Sequence, residues 1–133
     1  MLVSEAYEAQ KMAYTPYSDF CVGAALLAGN GKVYRGCNIE NASFTPTNCA
    51  ERTAFFKAVS EGVREFEAIA IVGNKRGKKG GFCAPCGVCR QVMAEFCHPD
   101  EFAVILGAGE KTAVYSLREL LPLGFTKGNL NED

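Results

Sequence analysis

Residues 49–72 have the sequence CAERTAFFKAVSEGVREFEAIAIV, in which a helix pattern is followed by the pattern of a buried strand. In residues 49–61 apolar side chains recur at helical spacing, and Gly62 follows where a helix C-terminus is expected. Residues 66–72 form a short continuous apolar run, which is typical of a strand covered on both faces. A helix next to a fully covered strand favours an α/β architecture.

The sequence before this stretch predicts one more helix and a β-hairpin. Residues 2–14 carry a leucine and three alanines at intervals of three and four, as in an amphipathic helix. Residues 20–27 form an apolar run, and the Gly-Asn-Gly turn at 29–31 leads into a second strand at residues 32–37. Residues 38–48 are rich in Asn, Ser and Thr, so we expect a loop there.

The downstream sequence predicts the rest of the sheet and a third helix. Residues 73–81 hold four glycines and four basic residues and are expected to form an exposed loop. A helix is predicted to begin at Pro85, since proline suits the first helical position. Strands are predicted at residues 102–106 and 112–115.

A last short helix is expected where Ser116 and Glu119 have the spacing of a capping box. The complete order of elements is then α-β-β-α-β-α-β-β-α. Alternation of this kind predicts a single α/β domain over residues 1–133, a three-layer α-β-α sandwich around a mixed five-stranded sheet.

The overall composition excludes several classes of protein. The 133 residues are 48% hydrophobic and 22% charged, which is typical of a globular chain. Fourteen basic and fifteen acidic residues give a net charge of −1, so we expect no nucleic-acid or membrane partner. No apolar run approaches the roughly 20 residues that span a bilayer, and no secretory signal pattern is visible. Seven cysteines without an export signal favour a reducing compartment, and we expect a cytoplasmic protein.

Three cysteines have the spacing of a metal site. Cys86 and Cys89 are three residues apart at the start of a predicted helix, so both side chains can point at one ion. Cys49 opens the preceding helix, and the dipole at a helix N-terminus stabilises a thiolate. If the two helix starts meet, the three cysteines form a zinc site with a free fourth position, the catalytic arrangement.

Glu51 predicts what such a site would do. It lies in the first turn of the same helix as Cys49, where a carboxylate can move protons between water and a substrate nitrogen. Three thiolates on a divalent ion leave a net charge of −1. Arg52 is our candidate for offsetting this charge from outside the ligand set, and Arg90 is a weaker candidate.

These residues carry a resemblance to a known superfamily. Residues 49–51, Cys-Ala-Glu, and residues 85–91, Pro-Cys-Gly-Val-Cys-Arg-Gln, resemble the paired motifs of the zinc deaminases. Residues 36–42, Gly-Cys-Asn-Ile-Glu-Asn-Ala, and residues 48–54, Asn-Cys-Ala-Glu-Arg-Thr-Ala, are similar to the small homotetrameric cytidine deaminases of the three-cysteine type. The similarity runs through most of the chain.

The resemblance implies a reaction and a metal. Cys49, Cys86 and Cys89 would hold one Zn²⁺ per subunit, and Glu51 would be the proton shuttle. Zinc-bound hydroxide would attack C4 of cytidine or 2′-deoxycytidine, which gives uridine or 2′-deoxyuridine and ammonia. The role implied for the enzyme is pyrimidine salvage.

The resemblance also implies substrate contacts and a partner. Asn38 and Glu40 would hydrogen-bond the ribose 3′-hydroxyl, Phe20 would line the base pocket, and the backbone N–H of Ala50 would donate to the pyrimidine O2. Phe125 occupies the place of an aromatic residue that reaches into a neighbouring subunit's site. A homotetramer with shared active sites follows from this resemblance.

Two other classes of function stay open at this stage. One is a deaminase of another base or of a nucleotide. The other is a non-catalytic zinc or iron–sulfur module, because Cys83, Cys86 and Cys89 also form a C-x-x-C-x-x-C run. We interpret Cys83 as a loop thiol outside the metal site. The other cysteines are predicted to be small core residues: Cys21, Cys37 and Cys97.

Overall fold

The computed structural model describes residues 1–131, and the last two residues of the predicted domain, 132 and 133, lie outside this range. The described part contains five strands: β1 (Phe20–Ala28), β2 (Val33–Cys37), β3 (Phe66–Lys75), β4 (Ala103–Ala108) and β5 (Lys111–Ser116). It also contains five helices: α1 (Leu2–Gln10), α2 (Ala50–Ser60), α3 (Gly87–Phe96), α4 (Leu117–Leu120) and α5 (Lys127–Asn131). None of the helices in residues 1–131 has the length and hydropathy of a membrane-spanning segment.

The five strands form one mixed sheet, as predicted, and their order in the sheet is β2-β1-β3-β4-β5. β1 pairs antiparallel with both β2 and β3, and β4 pairs antiparallel with β5. β3 and β4 are parallel, because α3 crosses over between them. The central strands are apolar on both faces, as expected for strands covered by helices.

Helices cover both faces of the sheet, which confirms the three-layer prediction. On one face Ala6 of α1 packs against small side chains of the central strands, Ala25, Ala70 and Val72. The larger core lies on the other face, beneath α2 and α3. Phe55 of α2 is fully buried there, and its ring contacts three other phenylalanine rings, with centroids 5.0, 6.3 and 6.0 Å away: Phe66, Phe96 and Phe102.

The first helix is shorter than its apolar spacing predicted. It ends at Gln10 rather than near residue 14, because Tyr14 pairs with the loop after β2. The Tyr14 N–H donates to the Asn38 carbonyl at 3.0 Å, and the Tyr14 carbonyl accepts from the Glu40 N–H at 2.9 Å. These two bonds hold residue 14 in extended backbone, next to two residues that the sequence linked to substrate.

The third strand is longer than predicted, and the expected loop at residues 73–81 begins later. Gly73, Asn74 and Lys75 continue β3, since they pair with Val22, Cys21 and Phe20 of β1. Gly73 is buried, and a Cβ added to it would lie 2.8 Å from the Cys83 Sγ. The Cys83 side chain therefore lies against Gly73, and a side chain at this position would force it to shift.

The helix starts differ in detail from the predictions. α3 begins at Gly87 rather than Pro85, and Cys86 is its N-cap in extended backbone with φ −68° and ψ 167°. The capping box of Ser116 and Glu119 is present at the start of α4, as predicted. α5 was not predicted from the sequence.

Candidate active site

The N-termini of α2 and α3 meet at three cysteine sulfurs. Cys49 is the N-cap of α2, Cys86 is the N-cap of α3, and Cys89 lies in the first turn of α3. The Cys49 and Cys86 sulfurs are 3.7 Å apart, and the Cys86 and Cys89 sulfurs are 3.4 Å apart. All three sulfurs lie within 4.8 Å of one another. The predicted meeting of the two helix starts is therefore present.

The donor set fits a zinc ion. A disulfide would require sulfurs about 2.05 Å apart, and all three thiols are free. Tetrahedral zinc with bonds of about 2.3 Å holds ligand sulfurs about 3.8 Å from one another, close to the observed spacing. A small movement of the side chains would bring the three thiolates onto one ion and leave a fourth position open.

Arg52 supplies positive charge to this cluster. Its Nη2 donates to the Cys49 sulfur at 3.2 Å. Hydrogen bonds from the Cys89 thiol and from Arg52 lower the pKa of Cys49 to about 5, against the opposing effect of burial. The lowered pKa favours the thiolate of Cys49, which is the form that binds metal.

Glu51 is buried beside the sulfurs, with only 5% of its surface exposed. Burial, together with the negative charge of Cys49, raises the pKa of its carboxyl to about 7. A carboxyl with this pKa both accepts and donates a proton near neutral pH, which is what a general acid–base group requires. The start of α2 therefore places a cysteine sulfur and a carboxyl with a raised pKa side by side.

Asn38 lies directly after β2 and holds the beginning of β1. Its Nδ2 donates to the Phe20 carbonyl at 2.8 Å, and its Oδ1 accepts from the Val22 N–H at 2.9 Å. The side-chain amide thus continues the strand pairing beyond the end of β2. The structure places the predicted ribose residue Asn38 in contact with the predicted base-pocket residue Phe20.

Glu40 organises the segment before Phe20. Its carboxylate accepts from the N–H groups of Tyr17 and Ser18 at 3.0 and 3.1 Å, and from the Ser18 hydroxyl. These hydrogen bonds lower the pKa of Glu40, the Ser18 hydroxyl contributing most. The Ser18 Oγ in turn accepts from the Phe20 N–H at 3.0 Å. Ser18 was missed in the sequence, because its role depends on a partner 22 residues away.

Ala50 and Phe125 occupy contrasting environments. Ala50 is the first residue of α2 and is fully buried. Phe125 lies between α4 and α5 with 60% of its surface exposed, and its carbonyl accepts from the Gln91 Nε2 at 2.7 Å. The C-terminal segment is thereby attached to α3, the helix that contains Cys89 and follows Cys86.

Arg90 and Cys83 are near the site cysteines in sequence and have other surroundings in the structure. Arg90, the weaker candidate for charge compensation, is hydrogen-bonded to two backbone carbonyls: its Nε donates to the Pro85 carbonyl and its Nη1 to the Leu120 carbonyl, both at 2.7 Å. Its role is to fasten the start of α3 to the end of α4. Cys83 lies in the loop before α3, outside the three-sulfur cluster, and burial raises its pKa to about 11.

The remaining cysteines differ in burial. Cys21 and Cys97 are buried, as predicted, whereas Cys37 is only half-buried because it ends an edge strand. Burial raises the pKa of Cys97.

Comparison with known proteins gives one consistent result. Residues 1–105 match the family model described as the cytidine and deoxycytidylate deaminase zinc-binding region. The chain is 51% identical to the cytidine deaminase of Sporosarcina psychrophila, over 98% of this chain and 93% of that protein. It is 52% identical to the cytidine deaminase of Halalkalibacterium halodurans, over 99% of this chain and 97% of that protein.

A solved structure shows the same fold. The crystal structure of cytidine deaminase from Burkholderia pseudomallei superposes with a TM-score of 0.85 at 49% sequence identity, covering 93% of this chain and 96% of that chain. The matched family model includes the segment with all three site cysteines. The three-sulfur site, the shared fold and the sequence identity of 51–52% over nearly the whole chain lead to one conclusion. This protein belongs to the zinc-binding cytidine deaminase family.

Proposed function

We propose that this protein catalyses the hydrolytic deamination of cytidine and 2′-deoxycytidine to uridine and 2′-deoxyuridine, with release of ammonia. The observation that carries the proposal is the burial of Glu51 beside three cysteine sulfurs that fit a zinc ion. The relatives named cytidine deaminase, which match almost the whole chain, support the choice of substrate.

Cys49, Cys86 and Cys89 would hold the zinc through their thiolates. When bound, the zinc ion would act as a Lewis acid and lower the pKa of the water next to the reacting carbon. Arg52 keeps the Cys49 sulfur negative and offsets part of the charge of three thiolates.

Glu51 would perform the proton transfers. It takes a proton from the attacking water and delivers it to N3 of the base while the water oxygen bonds to C4. It then moves the second water proton to the amino group, the C4–N4 bond breaks, and ammonia leaves. A carboxyl with a pKa of about 7 suits both directions of transfer at neutral pH.

The substrate would be held by residues from three segments. Asn38 and Glu40 would contact the ribose 3′-hydroxyl, the Ala50 N–H would donate to O2, and Phe20 would line the base pocket. Asn38 is hydrogen-bonded to the Phe20 backbone directly, and Glu40 is linked to it through Ser18. These bonds support the assignment because they hold the ribose residues next to the base-pocket residue.

The assembly would be a homotetramer with shared sites. Phe125 is exposed in the single chain and would reach the active site of a neighbouring subunit. We also propose a cytoplasmic location and a role in pyrimidine salvage. Seven free cysteines support the location, since thiols stay reduced there.

The test is the ultraviolet absorbance of cytidine incubated with the zinc-loaded protein, together with an ammonia assay. We expect the cytidine band to fall while ammonia appears in equal amount. Parallel reactions with cytosine and with deoxycytidylate separate a nucleoside deaminase from a base or nucleotide deaminase. Deamination of cytosine or deoxycytidylate but not of cytidine would refute the proposed substrate. No deamination of any of the three compounds would refute the proposed activity.

A further inference from the structure

We infer that Gly36 is a positioning residue for the active site, because its lack of a side chain lets the first turn of α2 lie against β2. A Cβ added to Gly36 would lie 2.2 Å from the Ala50 carbonyl oxygen and 2.6 Å from the Ala54 nitrogen. Gly36 is an ordinary strand residue paired with Ala24, so a glycine is needed here because there is no room for a side chain, and not because of the backbone conformation.

The contact lies where the site is built. Ala50 stands between Cys49, which carries a site sulfur, and Glu51, which is buried beside it. Both close neighbours of the added Cβ are backbone atoms, so no side-chain rotation can relieve the clash. A substitution at Gly36 must therefore move either the helix start or the strand.

The helix start is the part that moves. Each residue of β2, from Val33 to Cys37, is paired with β1, so withdrawal of the strand would break this ladder. Ordinary van der Waals contact begins at 3.4 Å, so the displacement needed is roughly 1 Å. Metal–ligand distances in a working site vary by only about 0.2 Å, so a shift of this size separates the Cys49 sulfur from those of α3.

Gly23 offers a matched control on the other face of the sheet. A Cβ there would lie 2.0 Å from the Ala6 carbonyl oxygen and 2.6 Å from the Gln10 nitrogen, an equally severe backbone clash. The displaced helix would be α1, and none of the candidate site residues lies on α1. Gly23→Ala and Gly36→Ala should thus lower stability alike and differ only in their effect on the metal site.

The test measures the metal site without substrate. Zinc release to a chromophoric chelator and the absorption spectrum of the cobalt-substituted protein are compared in wild type, Gly36→Ala and Gly23→Ala. We expect Gly36→Ala to release zinc about tenfold faster or more and to shift the cobalt–thiolate bands, with wild-type values for Gly23→Ala. Equal effects of the two variants, or wild-type metal properties in Gly36→Ala, would overturn the inference.

A second variant covers the case in which Gly36→Ala does not fold. Ala54→Ser adds one atom on the helix side of the same contact. Ala54 is fully buried, and its Cβ lies 3.0 Å from the position of a Cβ built on Gly36. Faster zinc release in Ala54→Ser supports the inference, and wild-type release refutes it. The inference assumes the site of the proposed function, but these metal readouts do not depend on cytidine turnover, so the two can fail separately.

Discussion

The side chain of Asn38 is hydrogen-bonded to the backbone of Phe20, with its Nδ2 2.8 Å from the Phe20 carbonyl oxygen. Two residues that the sequence linked to different parts of the substrate, the ribose and the base, are therefore coupled within the protein. Glu40 reaches the same residue through Ser18, whose Oγ accepts from the Phe20 N–H. The start of β1 is thus held from both sides by the loop that follows β2.

This coupling makes a prediction for Asn38→Ala. Loss of the amide leaves the Phe20 carbonyl and the Val22 N–H without their partner, so we expect unfolding stability to fall by about 1–3 kcal/mol in urea denaturation. Activity on cytidine should fall more than activity on free cytosine, because a ribose contact is lost in addition. Asn41→Ala is the control, since the Asn41 amide accepts only from the exposed Ser43 N–H. Equal losses on the two substrates would contradict the ribose assignment.

The two arginines near the cysteines should behave in opposite ways. Arg52→Gln removes the donor to the Cys49 sulfur, and we expect kcat to fall about tenfold or more with little change in folding stability. Arg52→Lys keeps the charge and should recover part of kcat.

Arg90→Gln removes two bonds to backbone carbonyls, so it should lower stability and retain kcat. Steady-state kinetics and chemical denaturation of the three variants distinguish the roles. Retained kcat in Arg52→Gln would show that the thiolate charge needs no compensation from this residue.

Adjacent phenylalanines of α2 test the description of the core. Phe55 is fully buried among three other aromatic rings, whereas Phe56 is 47% exposed. Phe55→Ala should cost about 3–5 kcal/mol of unfolding free energy, and Phe56→Ala about 1 kcal/mol or less. Denaturation at several protein concentrations separates this effect from any change in subunit association. Similar losses for the two variants would be inconsistent with the described core.

The shared-site proposal predicts complementation between subunits. Phe125→Ala should lower activity and leave zinc content unchanged, and Leu130→Ala, another exposed residue of the C-terminal segment, should leave both unchanged. When inactive Glu51→Gln protein is refolded together with Phe125→Ala protein, mixed tetramers should contain sites with both residues intact, and part of the activity should return. A fully active monomer by light scattering would rule out sharing.

Local patterns were enough to predict the five strands and the helices on both faces, and together with the family resemblance they predicted the three-cysteine site. Cys49, Cys86 and Cys89 could be grouped because a helix start places its first residues predictably, and Ser116 with Glu119 is a complete local signal. What could not be predicted depends on pairing between distant segments. Tyr14 is not helical because its backbone is hydrogen-bonded to residues 38 and 40. Residues 73–75 have the sequence pattern of a loop but form a strand because they pair with β1.

The same limit applies to residues around the site. Arg52 lies three residues after Cys49 and Arg90 directly after Cys89, so the sequence made both of them candidates for charge compensation. Only the structure shows that Arg90 reaches the end of α4, 30 residues away. The role of Gly36 is also invisible locally, since it depends on the carbonyl of Ala50 across the interface between strand and helix.

The most direct test of the account is cytidine turnover by Glu51→Gln, with Glu61→Gln as its control at the exposed C-terminal end of the same helix. Both variants should bind one zinc per chain. We expect the deamination rate of Glu51→Gln to fall by about 10²–10⁴-fold, because no group remains to move protons, and that of Glu61→Gln to stay at the wild-type level. Near-normal deamination by zinc-loaded Glu51→Gln would contradict the central role assigned to this carboxyl.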